Sequence, residues 1–482
     1  MTNFVDNSLS PRKTRIRDLA DRLARGRAGW IAKNTYYHER DWAYMRFLVP
    51  PGLRVLDLGC GTGRLLAELS PSRGVGIDFS AAMIEVAREA NPEFEFHIGD
   101  IENPSVLATI EGPFDAVILA DTVGSLDDVE TLLKILGPLV SPETRLIVCY
   151  YSQVWNPLLR LAELLGGKMP QEPQNWLSSD DIEGLLKLAG FECIKREWRL
   201  LLPRFLLGLG PLLNNTLGTL PMIRHACLRN YLIARSTENQ RRKNLSTTVV
   251  IPCRNERGNI EPAVARLPAF CDDIEILFVE GHSKDGTADE IRRIIAAYPD
   301  QDIKLLVQDG RGKADAVHKG FAAARGDVLM ILDADLTVPP EDLPKFYDAL
   351  TSGKGEFING TRLVYPMEKG AMRALNTLGN RYFAHLITWL LNQRFTDTLC
   401  GTKVLTRESY ARLAANRAYF GDFDPFGDFD LIFGAVKLNL KVIEVPIRYA
   451  ERTYGTTQIS RFRHGLLLMR MCLFAFFKLK AI

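Results

Sequence analysis

Short apolar runs alternate with helix-length mixed segments along the whole chain. RVLDLG, GVGID, FEFHIGD, DAVILAD and RLIVCYY follow one another over residues 54–151, and TTVVIP, IEILFVEG, KLLVQD, DVLMILDAD and GEFINGTR over residues 247–362. Buried strands joined by helical crossovers produce this rhythm, so each half is expected to be a doubly wound α/β domain. Two further strands, near 191–200 and 227–235, are expected to finish the first sheet. The run ARSTENQRRKNLSTT, residues 234–248, is polar, basic and poor in hydrophobes, which marks a linker. The expected organisation is a first domain over 1–235, a linker over 236–247, a second domain over 248–460 and a C-terminal segment over 461–482.

Ligands of doubly wound sheets sit beyond the carboxyl ends of the strands, and the chain breaks its apolar pattern there. RVLDLGCGTGRLLAEL passes from strand to helix through Gly59, Gly61 and Gly63, which let backbone N–H groups approach a ligand closely. A dinucleotide fingerprint needs another spacing, because Arg64 stands three residues after Gly61 and Leu66 three after Gly63. Asp78 closes GVGID, Asp100 and Ile101 follow the third strand, and Asp121 ends the fourth. In VLMILDADLTVPPEDL, Asp333 and Asp335 are expected on one side of an extended strand. Such a pair suits Mg²⁺ or Mn²⁺, which takes one or two carboxylates and completes its shell with waters and a diphosphate.

Composition narrows the setting. The 482 residues exceed what one hydrophobic core sustains. A formal net charge of +2 gives no global pull toward nucleic acid, which is not expected as a partner. Eight dispersed cysteines without a CxxC pair fit a reducing compartment. The N-terminal residues lack the apolar core of a signal peptide, so a cytoplasmic chain is expected. Two segments point to the cytoplasmic face of a membrane. LLPRFLLGLGPLLNNTLGTLPMI, residues 201–223, is apolar but broken by prolines and glycines; it is either a flap for a lipid-like substrate or the bilayer, or a patch covered by the second domain. In RFRHGLLLMRMCLFAFFKLKAI, Arg463, Arg470 and Lys478 fall within about 80° of one another at about 100° per residue. That is an interfacial helix with a basic side, or a terminal helix packed on its domain.

DLGCGTG resembles the first motif of class I S-adenosylmethionine-dependent methyltransferases. The resemblance implies a Rossmann-like domain in which Asp57 faces the methionine amino group, Gly59, Gly61 and Gly63 the cofactor backbone, Asp78 the ribose, and Asp100 and Ile101 the adenine, with Asp121 closing the site. Tyr36, Tyr37, Tyr150, Tyr151 and Trp155 are candidates for an acceptor pocket or for core aromatics.

VVIPCRNERGNI, FVEGHSKDGTADEI, GRGKADAVHKGFAAARGDVLMILDADLTVPPEDL and NGTRLV resemble, in order and spacing, family 2 glycosyltransferases of GT-A fold, most of all the polyprenyl-phosphate transferases such as dolichol-phosphate mannosyltransferase. The resemblance implies that Pro252, Arg254, Glu256, Glu280, Ser283 and Asp285 surround the nucleotide of a nucleotide-diphosphate sugar. Asp333, Ala334 and Asp335 would hold metal and diphosphate with Arg362 beside them; Asp397, Gly401 and Lys403 fall on the acceptor side; Arg452 meets the diphosphate. Two departures stand out: Glu280-Gly281 replaces a paired Asp, and Gln458 replaces a lysine, leaving Arg461 or Lys403 to supply the charge.

A bifunctional enzyme at the membrane face is therefore expected. Its second domain would glycosylate a polyprenyl phosphate with inversion, using Asp335 and Arg452. Its first would methylate a glycan or lipid intermediate. A sugar hydroxyl or glycolipid acceptor would instead need a base, for which Asp428 and Asp430 are candidates, unless these acids only start a helix. A non-catalytic first domain acting as a membrane or partner adaptor is the third reading.

Overall fold

The computed structural model describes residues 9–365, 374–419, 427–452, 454 and 461–482, without the side chains of 374–377 and 461–464. It divides into two compact units, Met1–Asn239 with Ala481–Ile482, and Gln240–Lys480.

The first unit is built on a seven-stranded sheet: β1 (Arg54–Leu58), β2 (Arg73–Asp78), β3 (Glu95–Ile98), β4 (Ala116–Ala120), β5 (Arg145–Tyr151), β6 (Phe191–Arg199) and β7 (Arg229–Ser236), in the order β3-β2-β1-β4-β5-β7-β6. The first five strands run parallel, while β7 enters antiparallel between β5 and β6. Leu56, Leu58, Val75, Ile77, Val117 and Leu119 are wholly buried in one core face, each such side chain contributing about 1.5–3 kcal/mol. Strand order reverses between β1 and β4, so the crevice lies beyond Leu58 and Ala120.

The second unit holds β8 (Thr247–Cys253), β9 (Ile274–Glu280), β10 (Asp302–Val307), β11 (Val328–Ile331), β12 (Phe357–Thr361), β13 (Lys403–Thr406) and β14 (Val442–Pro446), in the order β10-β9-β8-β11-β13-β12-β14. β10, β9, β8 and β11 are parallel, and β13 is antiparallel to both β11 and β12. The sheet is thus mixed. The chain pattern shows neither β13 nor β14, because each is short and follows polar or irregular sequence. Within the expected linker, Arg242 N–H already donates to Thr351 O at 2.8 Å, inside the second unit.

Two expectations change. β11 stops at Ile331, and Leu336 N–H closes a turn on Asp333 O at 3.1 Å, with Leu336 at φ 52°. Asp333 and Asp335 therefore sit in a turn rather than alternating along an extended strand. The helix Arg461–Ala475 packs within the second unit against the helix Ala374–Leu391, burying Leu468, Met471, Cys472 and Ala475. Lys478 turns onto the Tyr419 ring, 5.0 Å from its centroid, instead of joining a basic stripe with Arg470. The outward face carries Leu466, Met469, Leu473 and Phe477. The side chain of Arg463 lies outside the described residues, as do residues 455–460 with Gln458, and the side chain of Arg461.

Candidate functional sites

The glycine turn after β1 is set by close packing. Gly59, Gly61 and Gly63 have φ of 85°, 53° and 70°, in the left-handed region that favours glycine. A Cβ on Gly59 would meet Thr122 Oγ1 at 2.5 Å and one on Gly63 would meet Phe96 at 2.6 Å. Asp78 organises the turn, accepting from Gly61 N–H and Ser80 N–H, each at 2.9 Å. Asp57 is buried at 2% exposure, and its Oδ1 has no hydrogen-bond partner. Burial first, and Asp78 second, push its carboxyl up to about 7. A buried acid with a free oxygen two residues before a glycine turn is an acceptor suited to a cationic ligand group.

The helix Pro11–Leu23 crosses the same edge. Arg12 donates to Gly124 O at 2.8 Å and Leu126 O at 2.9 Å, Lys13 pairs with Asp100 at 2.5 Å and with Glu102, and Asp21 accepts from Ser80 Oγ at 2.5 Å. Asp100 also accepts from Glu102 N–H at 3.1 Å, so both its oxygens are engaged. Ile101 is buried beside it. Asp121, at φ 58°, pairs with Arg229, which also grips Asp41 at 3.0 Å. Arg229 is fully buried and opposite Tyr151 in the β5–β7 register. Tyr37 and Tyr151 join hydroxyls at 3.2 Å next to it, and Trp155 Nε1 donates to Ala226 O at 2.8 Å. Tyr150 is elsewhere: it is core, with its hydroxyl 3.3 Å from Ser179.

In the second unit the turns after β8 and β9 are stitched together. Ser283 Oγ accepts from Asn255 N–H at 2.9 Å, and Asp285 accepts from Arg257 N–H at 3.2 Å and Thr287 N–H at 3.0 Å. Glu280 is buried, and its carboxylate is used within its own turn, accepting from His282 N–H at 3.1 Å and Ser283 N–H at 2.5 Å. Pro252 lies in β8, and Arg254 is exposed above it.

The acid pair is surrounded by cations. Lys313 Nζ lies 2.7 Å from Asp333 and 3.8 Å from Asp428; Arg452 lies 2.5 Å from Asp335 and 3.9 Å from Glu256. Burial alone would lower the Lys313 pKa, but Asp333 and Asp428 outweigh it, so the ammonium is held charged. Asp335 also accepts from Thr337 Oγ1 at 2.8 Å, and Ala334 is buried between the two acids. The β11–β13 register pairs Met330 with Val404; continued three residues, it sets Asp333 opposite Gly401. A Cβ on Gly401 would overlap Asp333 Oδ2 and reach 2.6 Å from Lys313 Nζ. Among the described residues no group of three or more His, Cys, Asp or Glu forms a metal cage. A two-carboxylate turn fits a magnesium-like ion, which uses few protein ligands.

Residues 248–414 match the family model described as "Glycosyl transferase family 2", and residues 12–196 the one described as "Methyltransferase domain". The chain carries both transferase domains. Dolichol-phosphate mannosyltransferase of Saccharomyces cerevisiae is 34% identical over 113 residues, covering 22% of this chain and 42% of that protein. The chain thus spans less than half the length of that relative. Polyprenol monophosphomannose synthase of Mycolicibacterium smegmatis is 29% identical over 227 residues, covering 44% of this chain and 81% of the relative. Among solved structures, glucosyl-3-phosphoglycerate synthase from Mycobacterium tuberculosis is similar with a TM-score of 0.37 and 16% identity, over 49% of this chain and 80% of that one.

Within the glycosyltransferase domain the remaining candidates are tied to partners of their own. Arg362 forms a buried two-point pair with Asp397, Nε to Oδ2 at 2.6 Å and Nη2 to Oδ1 at 2.8 Å, and its charge still helps to lower the Asp333 carboxyl, after Lys313 and Lys403. Asp397 is thereby used as structure. Lys403 is fully buried, donates to Cys400 O, and lies 3.7 Å from Asp428. Asp430 is held by His318 at 3.1 Å and Arg417 at 3.0 Å, so of the two candidate bases only Asp428 shares Lys313 with Asp333. Burial raises the Asp428 carboxyl; in Asp430 burial is outweighed by His318 and Arg417, and the carboxyl is lowered.

Sequence reasoning missed Lys313, Arg229, Asp41, Arg12 and Lys13. Lys313 had a signal: it follows Gly312, at φ 91°, and opens a helix, the same turn-to-helix logic applied to the methyltransferase loop. An arginine opening the apolar run RNYLIARS was the mark of Arg229.

Proposed function

We propose that the glycosyltransferase domain moves a sugar from a nucleotide-diphosphate sugar to a polyprenyl phosphate with inversion, and that the methyltransferase domain uses S-adenosylmethionine to methylate a related glycan or lipid intermediate. The observation that carries the first reading is the turn Asp333-Ala334-Asp335 with Lys313 and Arg452 upon it. Mg²⁺ or Mn²⁺, held by Asp333 and Asp335, would supply Lewis-acid stabilisation of a diphosphate. Arg452 and Lys313 would bind and orient the anionic leaving group, the absence of a side chain at Gly401 lets the Asp333 carboxylate and the Lys313 ammonium pack against its backbone, and Lys313 would take the part of the lysine that Gln458 replaces. A phosphate acceptor is already an anion and needs no base. The names of these relatives support a lipid-phosphate acceptor, and so does the exposed row Leu466, Met469, Leu473 and Phe477, which would rest on the cytoplasmic leaflet.

For the methyltransferase domain, Asp57 would meet the cationic amino end of S-adenosylmethionine and Asp78 would keep lone pairs for the ribose. The cofactor supplies an electrophilic methyl group, and the chain supplies alignment. The unpartnered Oδ1 of Asp57 favours this over an adaptor role.

Asp428 favours a second reading, transfer to a sugar hydroxyl, because its Oδ1 has no hydrogen-bond partner while it lies near Lys313. A donor screen tests both: purified protein, Mg²⁺ or Mn²⁺, a polyprenyl phosphate and each common UDP- and GDP-sugar, with lipid products read by mass spectrometry. A sugar on the lipid phosphate is the expected result. Donor binding or hydrolysis with the lipid left bare would move the acceptor to a hydroxyl.

A further inference from the structure

The methyltransferase domain exposes a run of large apolar side chains, and clustered exposed apolar groups mark an interaction surface. The helix Asn156–Leu164 buries none of its residues, and Leu158, Leu164 and Leu165 are 54%, 85% and 76% exposed. Beside it, the insert before β7 presents Phe205, Leu207 and Met222 at 56%, 103% and 91%. Leu206 and Leu207 have φ of 39° and 54°, a left-handed excursion that leucine rarely adopts, and it drives the pair outward. The two segments meet where Trp155 donates to Ala226 O at 2.8 Å, and Arg204 reaches toward Gly167.

Charge says what covers this surface. From Leu201 to Ala226 the insert has no Asp or Glu and carries Arg204 and Arg224; the helix itself carries Arg160 and Glu163, and Lys168 beyond it lies 3.9 Å from Glu163. Apolar tips with Arg160 and Arg204 exposed among them complement a bilayer with anionic headgroups, where leucine and phenylalanine enter the acyl boundary and arginine stays with phosphate. A chain of contacts also leads from this surface inward. Phe205 meets the Tyr36 ring at 6.0 Å, Asn214 donates to the Tyr36 hydroxyl at 3.0 Å, and neighbouring Tyr37 leads through Tyr151 to Arg229 and Asp121 at the end of β4.

We infer that the helix Asn156–Leu164 and the insert 201–226 form one bilayer-docking surface, through which the methyltransferase domain takes an amphiphilic acceptor directly from an anionic membrane. The inference rests on the reading that this domain methylates a lipid intermediate, and it names the route and the substrate class. It is independent of the exposed row at the C-terminal helix.

The test is co-sedimentation of the full chain with vesicles of phosphatidylcholine and phosphatidylglycerol, alongside the double variant Leu207→Asp/Met222→Asp. Both positions are exposed, so the fold is retained. The expected result is a partition weaker by on the order of tenfold, with S-adenosylmethionine binding by calorimetry unchanged, and weaker binding of the parent chain to pure phosphatidylcholine. Equal partition of variant and parent overturns the inference. So does a parent chain that ignores vesicles, or one that is dimeric without them and becomes monomeric in the variant, which would assign the surface to a second copy. Failure of cofactor binding in the parent chain would instead sink the methyltransferase reading itself, and the two failures are read separately.

Discussion

With Asp57 as the carboxylate that meets the cofactor's amino group, as proposed, cofactor binding is expected to depend on pH. In the free protein burial, with help from Asp78, raises this group to about 7. A cationic ligand group pairs with the ionised form, so below that value binding must first release the proton. The linkage factor is one plus ten raised to the difference between pKa and pH, so affinity at about pH 6 is roughly 11-fold weaker than the alkaline plateau, about 1.4 kcal/mol, and at about pH 8 only about 1.1-fold weaker. Calorimetric titration of S-adenosylmethionine across this range should show that curve, and below pH 7 the heat should change with the buffer because a proton leaves. His38 titrates near 4, pushed down by burial, and adds no slope in this window. Asp57→Asn should flatten the profile and weaken plateau binding by ~10- to 100-fold, the worth of one hydrogen bond to charge. Stability should move oppositely. A carboxyl whose folded pKa lies above its unfolded value costs stability as pH rises from about 4 to 7, so the Asn variant gains at pH 8 and is neutral at pH 4. A flat affinity profile in the parent protein, or an Asn variant that keeps the slope, refutes the reasoning.

Asp335→Asn should lose sugar transfer with the fold intact by circular dichroism; unchanged turnover would remove the acid pair from the chemistry. Lys313→Met should weaken donor binding, read as a raised KM for the nucleotide sugar, since its charge reaches Asp333 and Asp428 together. Asp397→Asn should cost about 3–5 kcal/mol in urea denaturation, because it strands the buried Arg362 guanidinium, and any residual activity should show an unchanged acceptor KM. Asp430→Asn should leave transfer to a lipid phosphate intact while loosening its contacts with His318 and Arg417; loss of turnover with stability unchanged would restore it as a base.

The parallel cores were legible because their strands are continuous apolar runs separated by crossover lengths, as in VLMIL and DAVILA. The antiparallel insertions were not. KVLT is four residues long and looks like any loop remnant until β11 and β12 pair on either side of it. The acids at strand ends were visible as breaks in the pattern, but their partners come from distant turns: Lys313 from the helix after β10, Arg229 from a strand more than a hundred residues beyond Asp121. Charge partners have no periodicity, so one chain cannot announce them. Arg362 illustrates the limit from the other side: it stands next to a matched segment, yet the fold gives it to Asp397.

The helix Pro11–Leu23 ties the turns after β2, β3 and β4 together through Asp21, Lys13 and Arg12, with a single buried residue, Lys13, beneath it. Its hold on the domain is therefore mostly ionic and hydrogen-bonded rather than apolar. Raised ionic strength screens such contacts, so the residence time of anything bound in the crevice should shorten with salt even where the contacts to the ligand itself are not ionic. Cofactor exchange is then expected to quicken with salt through this strap even where the glycine loop itself is unchanged.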